Sequence, residues 1–250
     1  MRYVILDTVG STNIEASRRD LYSHGDAVIA LEQTAGRGQR GNRWSSRPGE
    51  NLTFSLVVEP SFLETRRQFL LSECTALALT DTLNSYGVDA RIKWTNDIYA
   101  GDRKIVGVLL EHDLAGDRLA RSVIGIGINV NQTDFPEWVP NPTSLAVLTG
   151  RSYDIMDVFR TFSEKFEERY ETLAGGGAAE TEAGYNALLY RLGEPASFRI
   201  PGGGPFTGII RGVRDDGTLL VESENVVKGY LFREIEFIIA GRDEAAEFAR

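Results

Sequence analysis

The chain has 250 residues, 42% hydrophobic and 25% charged, which is enough for one sizeable core with a small second domain and gives no sign of disorder. A formal net charge of −9 argues against bulk binding to nucleic acid, which needs clustered cations. The single cysteine, Cys74, excludes an internal disulfide, and no apolar run reaches the ~18 residues that cross a bilayer, so a cytoplasmic, membrane-free setting is expected.

RYVILD (2–7) reads as a short buried strand broken at Gly10. A helix is expected next, with capping-box spacing at Thr12 and Glu15, Ile14 and Leu21 on one face, and Gly25 as its C-terminal cap. AVIALEQ (27–33) is a strand that feeds QTAGRGQRGNRWSSR (33–47), in which Gly36, Gly38 and Gly41 interleave with Arg37, Arg40 and Arg43 before Trp44. Such a loop suits an anion, because glycine brings backbone N–H groups close and guanidinium forks supply charge. The glycines spell GxGxxG, but the dinucleotide reading needs a helix directly after them, whereas this loop runs into the strand LTFSLVVE (52–59).

A long helix is expected from Glu64 to Tyr86, ended by Gly87, with Cys74 as a buried small hydrophobe rather than a nucleophile. ARIKW, the polar corner Thr95–Asn96–Asp97, IYA, the Gly101–Asp102 turn and KIVGVLLEH then form a hairpin that brings Asp97 and Lys104 to one sheet edge. An exposed ion pair worth under ~1 kcal/mol is the plainer account of those two residues. SVIGIGINVN (122–131) is a strand interrupted by Gly125 and Gly127, a sign of close approach by a ligand or backbone, with Asn129 and Asn131 expected on one face.

Residues 132–150, rich in proline, read as irregular connection. An amphipathic helix is expected over 154–173 and a second over 180–192. After Gly193 come four or five short strands with tight turns, which indicate a small barrel and a domain boundary near residue 192; 241–250 reads as a polar tail. His24 and His112 are isolated, without metal-ligand spacing.

The Arg37/Arg40 loop, Asn96 and Asp97, Lys104, and the strand ending in Asn129 together suit an anionic substrate and a metal-bound nucleotide, but spacing alone leaves the reaction unnamed. GRGQRGNRW, KWTNDIYAGDRKIVGVLLE and IGIGINVN resemble the three signature segments of the biotin protein ligases, and Ser11–Thr12–Asn13 resembles their early substrate motif. The resemblance covers nearly the whole chain. It implies an α+β fold: a mixed-sheet catalytic domain of the class II synthetase-like biotin/lipoate ligase type (1–192), then a small all-β Src-homology-3-like barrel (193–250). Relatives that also repress transcription carry an N-terminal helix-turn-helix; here the resemblance begins at Met1, so a monofunctional ligase is expected.

The implied activity is formation of biotinyl-5′-AMP from biotin and ATP, with Mg²⁺, followed by transfer to a lysine of the biotin carboxyl-carrier domain of a carboxylase. A homodimer is compatible with the sequence. By resemblance, Ser11, Thr12, Asn13, Gln33, Gly36, Gly107 and Leu109 contact biotin, and Arg37, Arg40 and Lys104 act on its carboxylate and the phosphates. Trp44 walls the tail and adenine region, Asn96 contacts the adenylate and Asn129 the nucleotide or its phosphates, and Asp97, with Asn96, positions Mg²⁺ directly or through water. Two departures stand out: Thr95 where the family often has proline, and Gln39 where it often has arginine, which removes one charge. Lipoate–protein ligase, and a non-catalytic biotin or nucleotide sensor, are the alternatives.

Overall fold

A computed structural model describes residues 1–239 and, at Arg40, the backbone alone. The expected tail at 241–250 lies outside the described residues. The elements run β1 (Arg2–Val9), α1 (Thr12–Ala16), β2 (Asp26–Gln33), β3 (Leu52–Val58), α2 (Phe69–Ser85), β4 (Ala90–Lys93), β5 (Asp97–Ala100), β6 (Arg103–Ala115) and β7 (Arg118–Ile128). After these come α3 (Leu145–Thr149), α4 (Ile155–Ala174), α5 (Ala178–Ala187), β8 (Pro195–Arg199), β9 (Pro205–Val213), β10 (Leu219–Ser223), β11 (Val226–Tyr230) and β12 (Glu236–Ile238).

The first seven strands form one mixed sheet in the order β1-β2-β3-β7-β6-β5-β4, parallel between β1 and β2 and antiparallel elsewhere. β3 is buried along its whole length because both faces are covered, and its side chains divide by the two-residue period of a strand. Phe54, Leu56 and Val58 join the main core, where Phe54 meets Phe159 and Phe162 of α4 edge-on. Val57 turns to the opposite face and packs with Ala16, Val28 and Val123 under α1. Ser55 shares that second face, and the functional site is built there.

α2 is buried on almost all sides between the sheet, α4 and α5. Its buried threonines return their hydroxyls to carbonyls one turn back: Thr75 to Leu71, Thr80 to Ala76 and Thr82 to Ala78. Burial pushes the Cys74 thiol up to about 12, in keeping with an inert core residue. The predicted amphipathic helix is α4, started by Asp154, whose carboxylate accepts from the Met156 N–H at 2.7 Å.

Several expectations are corrected. The helix expected from Thr12 to Gly25 is only the five residues of α1, and Ile14 and Leu21 are exposed. The capping box does not form, because the Thr12 side chain turns to Gln33, and the buried Arg121 guanidinium takes the Ala16 and Tyr22 carbonyls at 2.9 Å each. A 3-10 turn at 65–67 precedes α2, so the α-helix starts at Phe69 rather than Glu64. The stretch 132–150 contains α3, which Ser144 caps by accepting from the Val147 N–H at 3.2 Å and Gly150 ends at φ 69°. α5 is shifted from 180–192 to Ala178–Ala187.

Beyond residue 193 the short strands form a second, antiparallel sheet in the order β11-β10-β9-β8-β12. It is joined to the first unit by named bonds: Trp94 Nε1 donates to the Gly217 carbonyl at 2.9 Å, and Asn186 Oδ1 accepts from the Val213 N–H at 2.6 Å. No helix among the described residues is long and apolar enough to cross a membrane.

Candidate active site

Ser11, Thr12 and Asn13 are all buried at the start of α1. Gln33 Oε1, at the end of β2, accepts from the Thr12 N–H at 2.8 Å and the Thr12 hydroxyl at 3.2 Å. Ser55 Oγ donates to Asn13 Oδ1 at 2.6 Å and lies 2.8 Å from Thr12 Oγ1. Asn13 Nδ2 donates to Glu111 Oε2 at 2.8 Å and, more weakly, to the Leu109 carbonyl at 3.4 Å. Asn13 can lie across β7 only because residue 125 is glycine: a Cβ there would stand 2.0 Å from Asn13 Oδ1.

The glycine–arginine loop folds on itself. Trp44 N–H donates to the Gly36 carbonyl at 3.0 Å, Gly38 N–H to the Asn42 carbonyl at 2.7 Å, and Gln39–Gly41 make a single 3-10 turn. It leads to β3 and not to a helix, as the strand reading required. The Trp44 indole lies on a floor made by Gly107 and Gly127, which face each other across β6 and β7. A Cβ on Gly127 would come within 2.2 Å of Trp44 Cε2, and one on Gly107 within 3.0 Å of Cζ3. Arg37 donates to both Glu111 oxygens, at 2.9 and 3.3 Å, and a cavity of about 350 Å³ opens between the loop and Leu109.

At the corner, Lys104 Nζ stands 2.7 Å from Asp97 Oδ1, each side chain being about a quarter exposed. The predicted pair therefore exists, and its Lys104 stem runs beside Gly107. Asn96, just before β5, donates its amide to the Val108 carbonyl of β6 and accepts from Thr95 Oγ1 at 2.7 Å. The Trp94–Thr95 peptide is cis. Asn129 and Asn131 do not share a face, since β7 ends at Ile128. Asn131 brackets Tyr153, donating to its carbonyl at 2.8 Å and accepting from its N–H at 2.9 Å.

Asn129 Nδ2 donates to the Thr143 carbonyl at 2.9 Å, whereas its Oδ1, Thr143 Oγ1 and Trp44 Nε1 are buried polar atoms without a partner. Native interiors leave few such groups unpaired, and a donor, an acceptor and a hydroxyl near the Lys104 end are groups that a polar ligand would satisfy. Backbone bonds fix Thr143 there, for its N–H donates to the Lys104 carbonyl at 2.9 Å. The side chain of Arg40 lies outside the described residues.

Sequence reasoning passed over Ser55, Glu111 and Thr143. Glu111 was within reach, since it alternates with Gly107 and Leu109 along one strand face; Ser55 was a polar residue in an otherwise buried strand. His24 and His112 serve locally, accepting from the Glu59 N–H at 3.0 Å and meeting Ser122 Oγ at 2.8 Å. Among the described residues no three His, Cys, Asp or Glu side chains cluster as a metal cage.

Residues 7–129 match the model of the biotin/lipoate A/B protein ligase family. A biotin–[acetyl-CoA-carboxylase] ligase of Paracoccus denitrificans is 33% identical over 87% of this chain and 92% of its own. The chain belongs to this family. The bifunctional ligase/repressor BirA of Bacillus spizizenii is 33% identical over 85% of this chain, which spans 66% of that relative's length. A solved biotin protein ligase from Aquifex aeolicus, in complex with biotin and ATP, superposes with a TM-score of 0.80 at 29% identity, over 96% of this chain and 99% of the other. In this family member the matched span holds the whole constellation from Ser11 to Asn129, while Thr143 lies beyond it.

Proposed function

We propose that the protein is an ATP-dependent ligase that activates biotin as biotinyl-5′-AMP and transfers it to a specific lysine of the biotin carrier domain of a carboxylase. The observation that carries this reading is the polarity of the site. At one end Thr12, Asn13, Gln33 and the Leu109 carbonyl offer closely spaced amide and hydroxyl groups suited to a ureido ring. At the other, Lys104 stands beside Asp97 and the unpaired Trp44, Asn129 and Thr143 groups, suited to a carboxylate and a nucleotide.

In the first step a biotin carboxylate oxygen attacks the α-phosphorus of ATP and the bond to pyrophosphate breaks. Lys104 neutralises charge between carboxylate and α-phosphate, with Arg37 and Arg40 assisting from the loop. In the second step a carrier lysine amine attacks the acyl carbon, AMP leaves, and the amine gives up a proton. Closure of the loop keeps water from the mixed anhydride between the steps.

Asp97 fits Mg²⁺, which commonly takes one or two carboxylates and completes its shell with water and substrate phosphates. The metal would offset phosphate charge, and Asp97 would hold it while keeping Lys104 in place. The division into a catalytic domain over 1–192 and a small domain over 193–250 is supported by the second sheet starting at Pro195. Pyrophosphate release with biotin, ATP and Mg²⁺ tests the reading; release with lipoate but not biotin would replace it with lipoate ligation.

A further inference from the structure

Glu111 has no role in the reaction above, yet the head-group pocket and the glycine–arginine loop meet at its carboxylate. Oε1 accepts from Arg37 at 2.9 Å; Oε2 accepts from Arg37 at 3.3 Å and from Asn13 Nδ2 at 2.8 Å. Asn13 is itself held from behind by Ser55, and Thr12 by Gln33. A continuous chain of polar contacts thus runs Gln33, Thr12, Ser55, Asn13, Glu111, Arg37, from the floor of the head-group pocket to the loop above it.

The two ends of the Glu111–Arg37 contact differ in rigidity. Glu111 sits in β6 opposite Val123 of β7, within a sheet fixed by its ladder, and Asn13 orients its carboxylate. Arg37 rides on a loop whose backbone bonds near its tip are internal, Gly36 to Trp44 and Gly38 to Asn42. A two-point ion pair from a fixed strand to a self-contained loop determines where that loop rests. The pair is two-fifths exposed or more on each side, so its effect on global stability is small; at the Arg37 end of the loop it is the contact to the sheet, while the Trp44 end is held separately by its seat on Gly107 and Gly127.

We propose that Glu111 is a positioning residue, a latch that holds the glycine–arginine loop down over the pocket through Arg37 while Asn13 fixes its own carboxylate. This deepens the ligase reading and rests on it only for the consequence in turnover: the latch retains the adenylate between the two steps. Loss of the latch opens the loop more often, while the closed loop, with Arg37 and Arg40 at the site, stays the major state.

The test uses the full chain without ligand, with trypsin as probe of the loop and cleavage counted only after Arg40 and Arg43, because the Arg37→Ala background removes the third site. Glu111→Ala is expected to speed loop cleavage about five-fold, the equivalent of about 1 kcal/mol, with the melting temperature unchanged. Glu111→Gln, which keeps an acceptor for Asn13 but loses the charge, should fall between the two. In an Arg37→Ala background, Glu111→Ala should add nothing, because it acts through Arg37. Unchanged cleavage in both Glu111 variants, or additive effects in the double variant, would overturn the latch. Release of biotinyl adenylate, measured in parallel, should rise by a similar factor while its formation changes less than about two-fold. If the unaltered chain forms no adenylate from biotin, the ligase reading falls, and the proteolysis cycle still decides the latch.

Discussion

Lys104 reaches Asp97 because of a bulge in the strand that carries it. Asp97 pairs with Gly107 and Ile98 with Val106, but Tyr99 pairs with Lys104, so Ile105 is an extra residue on β6. Without that insertion Lys104 and Gly107 would face opposite sides; with it, the Lys104 stem lies against Gly107 and its ammonium meets the Asp97 carboxylate at 2.7 Å. The cation therefore stands at the glycine floor under Trp44 instead of in solvent.

Removing that cation should damage chemistry and spare the fold. Lys104→Ala is expected to slow pyrophosphate release by at least ~10-fold, about 1.4 kcal/mol of barrier, because neutralisation at the α-phosphate is lost. The partly exposed pair contributes under ~1 kcal/mol to stability, so the melting temperature should move by only a few degrees. Near-normal turnover would remove Lys104 from the mechanism.

Asp97→Asn keeps the shape and removes the charge that faces both Lys104 and the proposed Mg²⁺. A titration of pyrophosphate release against Mg²⁺ should shift to at least ~10-fold higher metal. An unshifted titration would assign Asp97 to orienting Lys104 alone.

The glycine floor makes a sharper steric prediction. Gly127→Ala places a methyl 2.2 Å from Trp44 Cε2, so the indole must leave its seat. Strand backbone tolerates alanine, and folding should survive, but biotin and ATP should each bind at least ~10-fold more weakly by calorimetry, with altered tryptophan emission. Gly87→Ala, whose Cβ meets nothing within 4 Å, is the control for a glycine replaced far from the site; any loss there reflects its φ of 79°.

Away from the site, Glu73 on α2 is 1% exposed, neither carboxylate oxygen has a hydrogen-bond partner, and burial lifts its pKa from 4.5 to about 8. Glu182 and Asp215 push the same way, while Arg67 opposes them. The folded state holds this proton more tightly than the unfolded chain. Its contribution is complete below pH 4.5, falls as pH rises through the window to about 8, and is flat above. Glu73→Gln should raise the melting temperature at pH 8 more than at pH 5; an equal change at both would show that Glu73 is ionised in the fold.

The long signals were legible in the sequence. Apolar runs marked β2, β3 and β7, the spacing of Phe159, Phe162 and Phe166 marked α4, and the glycine–arginine loop was separated from a dinucleotide motif by the strand after it. What failed was decided by tertiary competition. α1 is short because the Thr12 side chain turns to Gln33 and the Arg121 guanidinium takes the Ala16 carbonyl at its C-terminal end. Spacing on β6 placed Glu111 on the face of Gly107 and Leu109 but not its partner Asn13, and Thr143 had no such signal, since its partner Asn129 lies on another segment.

The most direct test of the central claim is transfer of biotin to an isolated carrier domain, read by mass spectrometry with and without ATP and Mg²⁺. The account predicts ATP-dependent addition of one biotinyl group to a single carrier lysine, matched by release of pyrophosphate and AMP. Biotin binding without transfer, or transfer of lipoate in place of biotin, would contradict it.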